Sequence, residues 1–300
     1  MNTFKKQFGI PDSEPVEFLN IPLDSDIELF IDPFLIANNR GHKTFNDIYI
    51  QLKSFFERLN RDFIVTNDRM HGLEYLDKLH EPNEYHLGYS ASNKGAAISD
   101  TRAETIFDAL RNNRFARGGV SLTNEAHNVL LLVTGIGQDI MSDTIANVCR
   151  NIFADFTYRQ CLKHGIATAA YQRDYFNATT KIWELQEFNL PSYMGKPIIL
   201  LPQKIISSTR SYVNHYNYFV AHNCIAKDIL NGNITTTQNG NFVKTLSDGT
   251  RIAIIKRIYK AYRKLKGDLI DFVIKYKGSL EDFLDYAKEH YPAVDFSGIY

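Results

Sequence analysis

The apolar residues of this chain recur at two spacings, and the two spacings predict different elements. Ile48, Leu52, Phe55 and Leu59 stand three or four positions apart, which is the period of an amphipathic helix. The same period predicts helices over the ranges 45–65, 69–80, 101–114, 143–163, 211–230, 248–265 and 268–290. Gly165 is a typical C-terminal stop for the fourth of these helices.

Short apolar runs bounded by proline or glycine predict the strands. We expect strands within 16–36, 85–89 and 129–133, and in a hairpin made of 170–190 and 198–201. This mixed order favours an α/β or α+β fold, with a mixed sheet flanked by helices and a helical C-terminal region. Residues 1–205 are expected to form the mixed core. Residues 206–300 are expected to form the helical region, packed on that core as one compact unit.

Composition narrows the class of protein. The 300 residues include 34 basic and 34 acidic side chains, so no overall field steers the chain onto nucleic acid. A local basic excess lies in 251–277, where nine Lys or Arg face two Asp. Three cysteines are too few for a disulfide framework and fit a reducing compartment. Since no stretch approaches a membrane span or a signal core, we expect a cytoplasmic protein without a membrane partner.

Two aspartates follow a glycine turn in the middle of the chain. The apolar run 130–133 ends at Gly135-Ile136-Gly137, and Asp139 and Asp143 come at the start of the next helix. Paired carboxylates at such a position can hold Mg²⁺ or Mn²⁺, because hard cations prefer oxygen ligands. In the alternative interpretation these residues cap the helix and complement its dipole.

Asp32 stands inside the strongly apolar run LFIDPFLI. Burying a carboxylate costs several kcal/mol unless it is paired or bound to a metal, so this residue is predicted to have a specific partner. A local alternative is an Asp-Pro turn in which the side chain accepts a backbone hydrogen bond. Further along, Glu81 and Glu84 precede a loop of small residues with Ser90 and Lys94. Backbone amides of such a loop can hold an anion, whereas a simple surface loop has the same composition.

Two short motifs resemble those of nuclease families. The triplet Glu184-Leu185-Gln186 resembles the Glu-x-Gln form of the PD-(D/E)xK nucleases, whose carboxylates bind metal on neighbouring strands. The pairs Arg159/His164 and Arg210/His215 fit R-x4-H, which resembles the active-site motif of the HEPN ribonucleases. That resemblance implies a dimer in which His is the acid or base and Arg holds phosphate.

Together these patterns predict a metal-dependent phosphodiesterase, most plausibly a nuclease using Mg²⁺ or Mn²⁺. The metal ligands are predicted to be Asp32, Asp139 and Asp143, with Glu184 and Lys204 as further catalytic residues. The residues predicted to contact substrate are Ser90, Lys94, Asn147, Arg150, Lys256 and Arg257. Nucleic acid, a protein partner or a second copy are the possible partners.

The rival hypothesis is a non-catalytic sensor or adaptor subunit of a bacterial complex. It predicts that the three aspartates lie apart and are individually capped or hydrogen-bonded, and that apolar surface carries the function.

Overall fold

The computed structural model describes residues 2–88, 99–234 and 242–296. The chain forms two compact units. The first comprises Met1–Arg210 and Lys288–Tyr300, and the second comprises Ser211–Ala287. The first unit is therefore built from two separate stretches of sequence.

The described residues of the first unit up to Lys163 include nine helices. Their bounds are α1 Phe4–Gln7, α2 Pro33–Asn38, α3 Lys43–Arg58, α4 Arg69–Leu76, α5 Ser99–Asn112, α6 Arg114–Arg117, α7 Ala126–Leu132, α8 Gln138–Val148 and α9 Arg150–Lys163. A π-helical turn, Leu59–Ile64, continues α3. Short 3-10 turns follow at Asn83–Tyr85, Ser121–Asn124 and Gln203–Ile205. A cysteine, Cys149, separates α8 from α9.

The described strands of the first unit pair two by two, and every pair is antiparallel. Their bounds are β1 Phe30–Ile31, β2 Ala169–Asn177, β3 Ile182–Leu190, β4 Ser192–Tyr193, β5 Lys196–Pro197 and β6 Ile206–Ser207. The pairs are β1 with β6, β2 with β3 and β4 with β5. The β2–β3 hairpin is the longest, with register Ala169↔Leu190 to Asn177↔Ile182.

The core of the first unit is aromatic and lies between α3, α7, α8 and α9 and the β2–β3 hairpin. Phe55 stacks on Tyr75 and meets Phe176 and Trp183 edge to face. Phe153 of α9 packs edge to face against Tyr85, and both side chains are almost fully buried. Such ring pairs add to the area that each side chain buries.

The second unit has its own core. Its elements are α10 Tyr212–Val220, a π-helical turn Ala221–Ile225, α11 Ala226–Leu230, β7 Val243–Thr245, β8 Arg251–Ala253, α12 Ile255–Tyr262, a 3-10 turn Lys266–Asp268, α13 Ile270–Lys275 and α14 Ser279–His290, whose last turn belongs to the first unit. Phe283 is fully buried and contacts the rings of Tyr216 and Phe219. The Tyr216 hydroxyl lies 2.7 Å from the Ser279 hydroxyl.

The α+β class and the helical C-terminal region are confirmed, with 53% of residues helical and 14% in small antiparallel sheets. Several predicted elements differ. The strand over 129–133 is wrong, because residues up to Leu132 lie in α7, where every residue is buried. Full burial removes the periodicity that separates a helix from a strand. The single helix over 143–163 breaks at Cys149.

The hairpin and the strand at 85–89 also differ from expectation. Residues 170–190 contain both strands of the hairpin, joined through Lys181 at φ 60°. Residues 198–201 pair with neither strand. In place of a strand, Asn83–Tyr85 forms a 3-10 turn and His86 adopts a left-handed conformation. Within the described residues, every helix is too short or too polar to cross a bilayer.

Candidate functional site

A charged network of side chains surrounds the segment 80–88, which lies against α5, α8 and α9. We call the set Glu81, Glu84, Arg102, Asp143, Asn147 and Arg150 the polar network. It brings together residues far apart in sequence, three of which the sequence had singled out as site residues. These three are Asp143, Asn147 and Arg150.

Arg102 bridges two carboxylates at one end of the polar network. Its Nη1 lies 2.6 Å from Oδ2 of Asp143, and its Nη2 donates a 2.7 Å hydrogen bond to Oε2 of Glu81. The side chains of Arg102 and Asp143 are only 22% and 16% exposed. A single guanidinium thus occupies the space between the two carboxylates.

Burial raises the pKa of Asp143 to about 7. The Arg102 charge opposes this shift, while the negative charges of Glu81 and Asp139 add to it. A carboxyl group with such a shift, surrounded by other acids, is a typical candidate for a functional site. Burial likewise raises the pKa of Asp26, and Glu81 contributes to that shift.

Arg150 forms the other end of the polar network, almost completely buried. Its Nε donates to Oε1 of Glu84 at 3.0 Å, and its Nη2 donates to Oδ1 of Asn147 at 2.6 Å. Its Nη1 donates to the carbonyl oxygen of Asp174 in β2. Asn147 in turn donates to the carbonyl oxygens of His80 and Asp143. These bonds fix α8, α9, β2 and the segment 80–88 to one another.

Asp32 lies in a different place and has structural partners. It is fully buried and is the N-cap of α2: its Oδ1 accepts a 2.9 Å bond from the Phe34 amide. Its Oδ2 lies 3.3 Å from Nη1 of Arg210. That guanidinium also donates to the carbonyl oxygens of Tyr291 and Pro292. The predicted specific partner of Asp32 is therefore an arginine.

The other predicted site residues are scattered. Asp139 is exposed in the first turn of α8, and Lys204 is exposed in the turn before β6. Glu184 of β3 accepts hydrogen bonds from Tyr175, Asn177 and Thr180 in its own hairpin. Lys256 and Arg257 are exposed on α12 of the second unit, whereas Ser90 and Lys94 lie outside the described residues.

In the first R-x4-H pair, Arg159 and His164 each contact a different acidic residue. Arg159 is an exposed ion-pair partner of Asp155 on α9. His164 has a side chain that is 5% exposed and lies 3.2 Å from Glu14. Arg210 and His215 belong to different units.

Asp32, Asp139 and Asp143 do not form a metal-binding group. In the ranges 2–88, 99–234 and 242–296, no three His, Cys, Asp or Glu side chains are arranged to hold an ion. The donor set also differs from that of a metal site, because each of these two aspartates contacts its own guanidinium: Asp143 contacts Arg102, and Asp32 contacts Arg210. A positive charge at that distance opposes the approach of a second cation.

Sequence reasoning missed Arg102, and it noted Arg210 only for its spacing to His215 and not as the partner of Asp32. Neither stands near its aspartate in sequence, and Asp32 and Arg210 are 178 positions apart. The only local signal for a partner was the cost of burying Asp32 in an apolar run.

The chain belongs to the family described as Domain of unknown function (DUF8370), which matches residues 9–214, more than half of the chain. The matched range covers most of the first unit, including the whole polar network and the Asp32–Arg210 pair. Comparison with curated proteins and with solved structures gives no match.

Proposed function

We propose that this chain is a non-catalytic sensor or adaptor subunit of a larger complex. The observation that carries this proposal is the pairing of the predicted catalytic aspartates with arginine. Asp143 contacts Arg102, and Asp32 contacts Arg210 and caps α2. Both carboxylates thereby hold elements of the fold together, which is what the adaptor hypothesis expects of them.

Exposed apolar side chains on the first unit support the same proposal. Leu162 on the outer face of α9 is 64% exposed, and Leu185 of β3 is 63% exposed. Tyr158 stands one turn before Leu162 and is also exposed. Under the adaptor proposal, these are the positions at which a protein partner would cover apolar surface.

An activity assay tests the non-catalytic part of the proposal. The full chain is incubated with Mg²⁺ or Mn²⁺ and with single- and double-stranded DNA and RNA. We expect no cleavage above that of a denatured control. Cleavage that requires the metal and disappears in Asp143→Asn would overturn the proposal.

Site-specific photocrosslinking in the native cells tests the interaction part. A photoreactive residue at Leu162 or Leu185 is expected to give a discrete crosslinked product, because a partner covers these positions. The same residue at Lys43, whose side chain is 87% exposed and ion-paired to Asp47, is the control and should give none. Equal crosslinking at all three positions would contradict a defined interface.

A metal-dependent phosphodiesterase remains the second candidate, and one observation favours it. Asp143 has a pKa near 7 and lies within the electrostatic reach of Glu81 and Asp139. Carboxylates that lie close together are suited to sharing a cation, because hard cations prefer oxygen ligands. For that function Arg102 must leave the pair, so Arg102→Gln is expected to increase Mg²⁺ affinity if this candidate is right and to leave it undetectable if it is wrong.

A further inference from the structure

Two small cavities meet at His86 and Lys196 in the first unit. The first has a volume of about 270 Å³ and is lined by Asn83, Glu84, His86, Arg173, Lys196 and Pro197. The second, of about 250 Å³, shares His86 and Lys196 and adds Asp24, Tyr193 and Met194 to its lining. These residues lie within the range that the family covers.

The lining of the first cavity has an excess of positive charge. Its one carboxylate, Glu84, is already neutralised by the buried Arg150 at 3.0 Å. Neither Arg173 nor Lys196, in contrast, pairs with a carboxylate in the described parts of the chain. The Arg173 guanidinium donates a 2.8 Å hydrogen bond to the Gln172 carbonyl oxygen and lies over the Tyr171 ring. In the second cavity the carboxylate of Asp24 accepts a 3.2 Å hydrogen bond from the Tyr193 hydroxyl. The positive charges of Arg173 and Lys196 are therefore available to an anion from outside the protein.

The backbone around these cavities is held in unfavourable conformations. His86 and Met194 have positive φ values of 54° and 50°, a region that costs a residue with a Cβ about 1–2 kcal/mol. The amide of Ile27 donates to the His86 carbonyl oxygen at 3.0 Å and secures the first of these conformations. Backbone strain of this kind is typical of ligand sites, where it fixes a side chain in place.

The β4–β5 turn places Lys196 at the cavities. Met194 and Gly195 both have φ above zero, as in a type I′ hairpin turn, so Tyr193 and Lys196 lie directly opposite each other. Both side chains therefore point from the same two-stranded hairpin into the second cavity. The turn thereby positions a side chain that is otherwise exposed.

We propose that the cavity between Arg173 and Lys196 binds a phosphate group of a small phosphorylated ligand, whose remainder extends past His86 into the second cavity. Arg and Lys are the side chains that recognise phosphate through charge-assisted hydrogen bonds. The imidazole of His86 adds a polar edge where the two cavities meet. The proposal goes beyond the adaptor function, since ligand binding does not depend on a protein partner.

Titration of the full chain with inorganic phosphate, against chloride at equal ionic strength, tests the proposal by calorimetry. We expect saturable binding by the wild type and a dissociation constant about tenfold higher in Lys196→Gln and in Arg173→Gln, because each loses a charged contact. The matched control is Lys163→Gln, an exposed lysine at the end of α9 in the same unit, which should bind as the wild type does.

Two results would overturn the proposal: no phosphate binding beyond that of chloride, or equal weakening by all three substitutions.

Adenosine monophosphate is the second probe and is expected to bind more tightly than phosphate, because its nucleoside fills the second cavity. Equal affinity for the two probes would refute the extension into that cavity. As an independent readout, the NMR signal of the His86 ring should show a higher pKa with phosphate bound, since a nearby anion favours the imidazolium. The cleavage and crosslinking results that test the adaptor proposal do not depend on whether phosphate binds.

Discussion

Asp32 is fully buried, so folding must offset the cost of removing its charge from water. The Phe34 amide, which Asp32 caps, and the guanidinium of Arg210 together provide that compensation. Arg210 in turn is satisfied by the carbonyl oxygens of Tyr291 and Pro292. Removing either charged side chain therefore takes the oppositely charged contact from the other, in a place that water barely reaches.

Asp32→Ala is expected to lower the free energy of unfolding by about 3–5 kcal/mol, the usual cost of breaking a buried ion pair. Asp32→Asn should lower it less, because an asparagine still caps α2. Urea denaturation measures both. The control is Asp139→Asn, an exposed aspartate in the first turn of α8, where the change should stay within about 1 kcal/mol. A loss of the same size at Asp139 would contradict the argument from burial.

The raised pKa of Asp143 predicts that the stability of the protein depends on pH. Its folded pKa of about 7 lies above the ordinary value of 3.8, so the folded protein keeps a proton that the unfolded chain releases first. Its contribution to stability is therefore largest below about pH 4 and decreases as the pH rises towards 7. The free energy of unfolding of Asp143→Asn minus that of the wild type should increase across this window. A difference that is flat from about pH 4 to 8 would show that Asp143 stays ionised throughout.

At the scale of elements, the β4–β5 turn holds a methionine in a left-handed backbone conformation, which methionine rarely adopts. Type I′ turns prefer Asn or Gly where φ is positive, yet this chain has Met194 there, with 84% of its surface exposed. Packing does not explain the choice, because the side chain has little contact with the core. The conformational cost is therefore not compensated locally.

Met194→Asn is expected to stabilise the protein by about 0.5–1 kcal/mol, since asparagine tolerates the left-handed region better. Thermal unfolding measures the change. Met70 is a matched control: it is 71% exposed but lies in α4, so Met70→Asn should destabilise the protein by a few tenths of a kcal/mol through lower helix propensity. The same sign at both positions would refute the role of the turn.

Sequence periodicity predicted the helices with one buried face and failed where burial is complete or the chain bends. The amphipathic pattern of α3 is visible, whereas α7 is buried on all sides and resembles a strand. The break at Cys149 has no proline or glycine to mark it. For the same reason Asp143 and Arg150 were placed on one helix, although the structure assigns them to α8 and α9. Their connection runs through Asn147.

At the scale of the whole molecule, each unit has its own aromatic core. Phe153 is fully buried in the first unit, and Phe283 is fully buried in the second. The first unit also contains ion pairs between residues far apart in sequence, Arg102 with Asp143 and Arg210 with Asp32. The sequence alone did not predict these pairs. Local patterns report the environment of a residue, whereas the partner of a buried charge depends on the path of the whole chain.

Phe283→Ala is expected to increase amide hydrogen exchange in 211–287 strongly, because truncating a buried phenylalanine costs about 3–5 kcal/mol. Phe153→Ala, the matching change in the first unit, should increase exchange in 1–210 instead. Mass spectrometry of peptic peptides locates both effects. Exchange that rises equally in both units after either substitution would show that the units unfold as one.

The return of the chain to the first unit at Lys288 has a consequence for synthesis on the ribosome. Asp32, Ile206 and Arg210 are made early, but Tyr291 and Pro292 accept from Arg210, and the Val294 amide donates to the Ile206 carbonyl oxygen. The nascent first unit therefore lacks two of the hydrogen-bond acceptors of Arg210 until the whole of the second unit has been translated. A pause or an arrest within 211–287 would leave the first unit open to proteolysis.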